Sequence, residues 1–133
     1  MKNIHASGKR KTAIARATLK QGNGLVRINN IPIDFIAPRI SRLKLREPLI
    51  WAGDVANKVD IDVNVIGGGI TSQAEASKLA IAKALVNFTK SDKLKEVFLN
   101  YDRNLMVADV RRKEPAKPNR HGQARSKVQK SYR

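Results

Sequence analysis

The chain contains no cysteine, which excludes a disulfide framework and any cysteine-ligated zinc site. Aromatic residues make up only 5% of it, and none form the strand pattern with which RNA-stacking sheets bind bases. Its apolar runs are only a few residues long, too short to span a membrane or to form the core of a signal peptide. These absences suit a cytosolic protein, and 133 residues are enough for one domain with a modest core.

Acidic residues are also scarce. The chain has 27 Lys and Arg against 11 Asp and Glu, which gives a net charge of +16 and a pI near 10.7. Such an excess repels itself in a folded protein unless a polyanion binds. Nucleic acid is the first candidate for that polyanion, and an anionic membrane surface is the second.

Half of the excess charge lies in the last sixth of the chain. Residues 111–133 contain one acid, Glu114, and nine basic residues: Arg111, Arg112, Lys113, Lys117, Arg120, Arg125, Lys127, Lys130 and Arg133. Pro115 and Pro118 disfavour a helix there, and little apolar surface is present to offset the entropy of ordering. The sequence therefore predicts a globular body over 1–110 and an extended basic tail over 111–133.

The body shows strand and helix patterns in turn. Residues 58–66 alternate apolar and polar side chains, which predicts a half-buried strand, and residues 12–20 do the same. The turn Gly22-Asn23-Gly24 predicts a return strand from Leu25 to Ile28, and a second turn at Asn29-Asn30 before Ile31-Pro32-Ile33 completes a short meander.

A helix is predicted over 71–88, with Ser72 and Glu75 as a capping box. Lys78 is a charged residue on the otherwise apolar face of this helix. Short helical pieces are expected from 38 to 52, with Pro48 opening one, and another helix after Ser91. Residues 104–110 are a candidate last strand. The pattern predicts an α+β fold with a small, mostly antiparallel sheet and helices on one side.

Three glycines, Gly67, Gly68 and Gly69, separate the predicted strand from the long helix. They do not form a dinucleotide fingerprint, because Ser72 stands at the third glycine position and no acid follows at the ribose-binding distance. A phosphate loop of nucleotide hydrolases also fails, because Gly8-Lys9 is followed by Arg10. Two interpretations stay open, a tight turn alone or free amides that hold an RNA phosphate.

A second basic cluster lies near the start. Lys9, Arg10 and Lys11 adjoin Gly8, where a backbone without a side chain can approach a partner closely, and Arg16 lies on one strand face. A solvated face is the alternative. Together with the basic residues of 39–46, these clusters favour a surface that touches nucleic acid in several places, mainly through phosphates.

Catalytic and metal-binding residues are few. His5 and His121 are the only histidines, and a pair could cleave RNA by acid–base catalysis, but a tail does not hold catalytic geometry. Asp60 and Asp62 lie on one strand face, where pairing with Lys or Arg is the alternative to a metal. We expect no enzyme, no cofactor, no metal and no small-molecule substrate.

Three stretches together identify a resemblance: SGKRKTAIARA at the start, GGGITSQAEASKLAIAKAL in the middle and QKSYR at the end. They resemble ribosomal protein S-nine of the small subunit, in the form found in archaea and eukaryotes. The resemblance covers essentially the whole chain, with its motifs in order. With no long N-terminal extension, the compact length favours the archaeal form.

The resemblance implies a four-stranded sheet with helices on one face, like the second domain of ribosomal protein S-five, and a left-handed β-α-β crossover. It implies a structural role in the head of the small subunit, bound to the 3′ major domain of ribosomal RNA and beside other head proteins. It also implies that the tail reaches the anticodon stem-loop of transfer RNA in the P site. The residues there would be Lys130, Ser131, Tyr132 and Arg133.

Two other functions stay open on the residues alone. One is an RNA-processing partner such as the protein subunit of ribonuclease P, which shares a basic α+β build. The other is a membrane-active cationic protein, which would need a basic amphipathic helix that the tail lacks.

Overall fold

The computed structural model describes residues 3–125, which form the predicted α+β fold. The strands are β1 (Ile4–Arg10), β2 (Ala13–Gln21), β3 (Val26–Ile28), β4 (Ile31–Pro32) and β5 (Val59–Ile66). The helices are α1 (Arg39–Ala52), α2 (Ile70–Thr89) and α3 (Asp92–Tyr101). Short 3₁₀ turns occupy Ile33–Phe35, Gly53–Lys58 and Arg103–Leu105.

The strands form one mixed sheet in the order β1-β2-β5-β3-β4. All neighbours are antiparallel except β3 and β5, which are parallel. The expected four-stranded sheet is therefore corrected to five strands. Strand β1 had no prediction from the pattern, whereas β4 falls within the predicted meander. Helix α1 lies in the connection between β3 and β5, which makes a β-α-β unit; its left-handedness stays a prediction.

Strand β5 lies between β2 and β3, so the first half of the predicted meander is wrong. Its second half is confirmed, because β3 and β4 pair antiparallel across Asn29-Asn30. All inward residues of β5, Val59, Ile61, Val63 and Val65, are buried, and such a strand is best placed at the centre of a sheet. The turn at 22–24 is present, but it wraps around the start of β5. Asp60 there accepts hydrogen bonds from the amides of Leu25 and Asn23, both 2.9 Å long, and these two bonds lower the pKa of its carboxyl group.

Helix α2 packs across β1 and β2 and carries most of the helical core, as its apolar arc predicts. Its approach to β1 depends on Gly8. A Cβ at Gly8 would lie 2.1 Å from the Ala76 carbonyl oxygen and 2.8 Å from the Ala80 nitrogen. Gly8 is buried beneath the helix, so helix–sheet packing explains why no side chain is present there, and its approach to RNA stays a prediction.

The predicted capping box at the start of α2 is also wrong. The residue that precedes the helix is Gly69, and no side chain caps the first turn. Glu75 does not reach back to that turn because Arg10 and Lys44 hold its carboxylate at 2.7 and 2.9 Å.

Lys78 lies on the apolar arc of α2 because it is the centre of a small ion-pair cluster. Its Nζ lies 2.6 Å from Glu47 Oε2 of α1 and 3.1 Å from Asp102 Oδ2, just after α3. Its side chain is only 12% exposed. The cluster thus joins all three helices through one ammonium group.

Helix α1 is one continuous helix rather than short pieces, and Pro48 lies inside it, not at its start. Pro48 is buried on the same face as Leu45 and Ala52, so packing offsets the backbone bond that proline cannot make.

Helix α3 follows Ser91 as predicted, although the Ser91 side chain makes no capping bond. The strand predicted at 104–110 is wrong. Leu105 is buried within a 3₁₀ turn, and the Asp102 side chain binds the Asn104 amide at 2.9 Å, so the chain turns there and does not extend.

The described part of the tail is not uniformly extended, which corrects the prediction for that part. Residues 111–116 have no regular structure, but the chain turns over 118–122. Two backbone bonds close this loop, from the Lys117 amide to the Gln123 carbonyl at 3.2 Å and from the Gln123 amide to the Arg120 carbonyl at 3.0 Å. Glu114 pairs with both Lys117 and Arg125 at 3.0 Å, so the single acid of the tail draws its cations together.

Candidate nucleic-acid interface

Three segments that are distant in sequence meet at one end of the molecule. They are the β1–β2 turn with its flanking residues (9–12), the glycine turn before α2 (67–69) and the start of the tail (111–113); we call them the basic end. A Cβ on Gly67 would lie 2.7 Å from the Thr12 carbonyl oxygen, so the two turns are in contact. An open groove of about 740 Å³ joins Arg10, Lys11, Thr12, Arg111, Arg112 and Lys113.

The glycine turn exposes the start of α2. Gly67 and Gly68 have φ of +74° and +69°, a left-handed backbone that favours glycine, and Gly69 has open space around it. The Gln73 amide donates to the Gly69 carbonyl at 2.9 Å. The amides of residues 70–72 precede this first helical bond, so the helix provides no carbonyl for them to bind. With no acid in the first turn, this helix end keeps its partial positive charge for an anion.

Arg10, predicted to contact RNA, is turned inward instead. Its Nε donates to Glu75 Oε2 at 2.7 Å, and its Nη1 lies 3.1 Å from Asp109 Oδ2. The side chain is 16% exposed, and two carboxylates neutralise its charge. Arg10 therefore joins the body to the segment before the tail, and we do not count it among the RNA contacts.

Asp109 positions the first residues of the tail. It pairs with Arg111 at 2.7 Å, and its backbone carbonyl accepts a bond from Arg112 Nη1 at 3.2 Å. The side-chain bond from Arg111 is the main reason that the pKa of Asp109 lies far below its usual range. The Arg111 side chain is nevertheless 80% exposed, and Arg112 and Lys113 are exposed beside it. Asp109 was not predicted as a site residue, although an acid directly before a basic tail was a signal in the sequence.

The other predicted residues of the body divide between two places. Lys9 is exposed and lines the cleft that holds Glu75 and Asp109, so it belongs to the basic end. Arg16 lies on the outer face of the sheet, paired across the strands with Asn64, in a shallow polar hollow with Arg27 and Asn29.

The predicted tail residues are described only in part. The loop that follows Glu114 contains three of them: Lys117, Arg120 and Arg125. Glu114 pairs with the first and the last of these side chains. The predictions for Lys127, Lys130, Ser131, Tyr132 and Arg133 fall outside the described residues.

No arrangement for catalysis is found within residues 3–125. His5 Nδ1 lies 3.2 Å from Thr18 Oγ1 on the outer sheet face, and Asp62 is paired with Arg27 at 2.8 Å and Lys20 at 3.6 Å. Over the same residues, no cluster of three or more His, Asp or Glu side chains has the arrangement of a metal site. No helix in the described part of the chain is long and apolar enough to cross a membrane.

Comparison with known proteins gives one consistent result. The sequence model of the family described as "Ribosomal protein S9/S16" matches residues 8–133. Curated relatives named "Small ribosomal subunit protein uS9" are 51% identical in Methanococcus maripaludis, 50% in Methanothrix thermoacetophila and 48% in Methanococcus vannielii, each over 100% of both chains. These sources agree with the archaeal form that the motifs indicated. The chain therefore belongs to the ribosomal protein S9/S16 family, whose members are structural, non-enzymatic components of the ribosome in the cytoplasm.

Proposed function

We propose that the chain binds ribosomal RNA in the head of the small subunit through the basic end, and sends its tail towards transfer RNA in the P site. The meeting of two turns and the tail start at one end carries this proposal. It puts exposed cations, Lys9, Lys11, Arg112 and Lys113, around a helix start whose amides are open. Membership of the ribosomal protein S9/S16 family argues against the two alternative functions, an RNA-processing partner and a membrane-active protein.

The basic end suits the phosphate backbone of RNA better than its bases. Its donors are ammonium, guanidinium and amide groups, which bind phosphate oxygens without regard to sequence. The glycine turn admits a phosphate close to the backbone at Gly67, Gly68 and Gly69, because no side chain stands in front of the amides. Recognition at this end therefore depends on RNA shape and charge.

The tail extends the same chemistry away from the body. Lys117, Arg120, Arg125 and Lys127 are proposed to bind ribosomal RNA along its course. Lys130, Ser131, Tyr132 and Arg133 are proposed to contact the anticodon stem-loop. RNA binding would exchange the internal pairs of Glu114 for phosphate contacts, which are stronger where many phosphates converge.

The RNA contact at the tail start is tested by salt dependence. We expect Arg112→Ala/Lys113→Ala to lower the magnitude of the slope of log K against log salt by about 1.4–1.8, because each lost phosphate contact removes about 0.7–0.9. The measurement is filter binding of the full chain to transcribed 3′ major domain RNA across a salt series.

The matched control is Lys93→Ala/Lys95→Ala, which removes the same charge at the start of α3. Helix α2 has 20 residues and is about 30 Å long, so these lysines are far from the glycine turn. Its slope should stay within error of the parent chain. An equal fall in both variants would mean that only net charge matters, which contradicts a localised interface.

The tail tip is tested by deletion of residues 130–133. We expect small subunits to assemble with the shortened chain at nearly normal yield, because the body supplies the assembly contacts. Their affinity for transfer RNA in the P site should fall by roughly three- to tenfold, as expected when a few charge-assisted contacts are lost. Loss of the chain from purified subunits would instead make the tip an assembly anchor.

A further inference from the structure

Helix α1 has a second apolar face that the fold does not use. Its core face is formed by Ser41, Leu45, Pro48 and Ala52. At about 100° per residue, Ile40, Leu43, Ile50 and Trp51 fall on a separate arc about 100° wide. Their exposed fractions are 64, 49, 72 and 46%, respectively. A helix that is apolar on two faces is typical of one that is buried on two sides.

The stripe continues onto the end of α3. The ring of Tyr101 lies 4.7 Å from that of Trp51, centroid to centroid, and both rings stay half exposed. Glu47 also falls within the arc, where its carboxylate pairs with Lys78 and its side chain is 29% exposed, less than the apolar residues around it. We call Ile40, Leu43, Ile50, Trp51 and Tyr101 the α1 stripe. Contiguous exposed apolar surface of this kind marks an interaction site.

One long side of the α1 stripe carries a row of arginines. Arg39, Arg42 and Arg46 follow the stripe along the neighbouring helical arc. Asp34 fixes two of them, because its backbone carbonyl accepts a bond from Arg42 at 2.6 Å and its carboxylate pairs with Arg46. The rim is positive overall and complements an acidic partner.

We propose that the α1 stripe docks a neighbouring small-subunit protein through a segment with apolar anchors flanked by carboxylates. This inference deepens the proposed function, on which it rests, by assigning a second face to protein contact. Tryptophan, tyrosine and arginine beside aliphatic residues are the composition of protein interface centres. RNA is the weaker fit, because the stripe itself offers phosphates almost no donors.

A second copy of this chain fits less well. Two molecules that each carry +16 repel one another, and a symmetric contact would bring like-charged arginine rims together. The partner must instead supply the negative charge that this chain lacks.

Photocrosslinking in purified small subunits tests the proposal. Ile50→p-benzoyl-phenylalanine should crosslink to a small-subunit protein, at a peptide that has Asp or Glu beside apolar residues. A crosslink to RNA, to a basic peptide or to nothing would overturn the inference. Lys113→p-benzoyl-phenylalanine should crosslink to RNA, and its failure to do so would count against the proposed function and leave the α1 stripe to be judged by its own result.

A smaller change covers the case in which the bulky probe prevents assembly. The chain has no cysteine, so Ile50→Cys gives a single thiol. We expect its alkylation by iodoacetamide to be roughly tenfold slower or more in the subunit than in the free chain, as for a buried interface centre. The protection should survive ribonuclease treatment. Unchanged alkylation, or protection that ribonuclease removes, would overturn the inference.

Discussion

Gly8→Ala is expected to destabilise the fold by about 3 kcal/mol or more, which is the largest effect that we predict for one methyl group. The new Cβ would lie 2.1 Å from the Ala76 carbonyl oxygen. Gly8 belongs to β1 and Ala76 to α2, and neither residue can shift without the rest of its strand or helix. Either α2 shifts away from β1 or the two elements separate. Urea unfolding followed by circular dichroism measures the loss.

Gly69→Ala is the matched control for this change. A Cβ there meets nothing within 4 Å, and the backbone has a negative φ that alanine accepts. Because Gly69 is the N-cap residue of α2, where alanine is less favourable than glycine, the free energy of unfolding should fall by no more than about 1 kcal/mol. Similar losses in both variants would show that glycine flexibility, rather than the helix contact, governs the effect.

Lys78→Met is expected to destabilise the fold by about 2 kcal/mol near pH 7. The change keeps the length of the side chain but leaves Glu47 and Asp102 facing each other without the shared ammonium group. Removal of one partner from a fully buried pair costs about 3–5 kcal/mol, and the one-third exposure of these carboxylates reduces that figure. Lys83→Met, on the same helix outside this cluster, is the control and should change little.

The loss should depend on pH in a defined way. Burial disfavours the charged form of Asp102, but the Asn104 amide and Lys78 outweigh it and lower the pKa. Stability from this carboxylate is therefore complete above about pH 4, the unfolded value, and is lost as pH falls through the lower folded value. For Lys78, the carboxylates outweigh burial and raise the pKa, so its contribution is lost only at strongly basic pH.

The difference between the parent chain and Lys78→Met should accordingly be constant from about pH 5 to 9 and shrink in acid. Unfolding measured in urea at a series of pH values tests this. A difference that stays the same at pH 2 would assign the effect to packing and not to charge.

Much of the fold follows from local pattern. Strand β5 and helix α2 each have a sequence period that agrees with their burial, and both were predicted within one residue. Strand β2 was recognised for the same reason. In these elements the apolar residues all face one core, so the local sequence pattern and the tertiary structure favour the same secondary structure.

The predictions from the sequence are wrong where a residue distant along the chain determines the local structure. The pairing of β3 depends on Asp60, which holds the turn against β5 instead of letting it close a hairpin onto β2. Glu75 was predicted to cap its own helix, but its carboxylate forms ion pairs with Arg10 of β1 and Lys44 of α1. A single sequence does not show which of several cations an acid will meet.

The candidate site was predictable in part. The charge distribution predicts the basic clusters and the three glycines predict the turn, but neither shows that these features share one end of the molecule. Arg10 and Gly8 have a structural role at the α2 contact that the sequence did not show. The α1 stripe was not predicted, because residues 38–52 were expected to form short helical pieces and only a continuous helix shows two separate apolar faces.

The central place of β5 also sets the order in which a new chain can fold. The β2–β5 pairs join residues 38 to 52 positions apart, so β3 has no partner in the main sheet until residue 59 and beyond have been made. At about 5–20 residues per second, synthesis leaves the β1–β2 hairpin waiting for several seconds with an open inner edge. Assembly of the body is thus coupled to completion of β5, and a fragment that ends at residue 58 has no route to the native sheet.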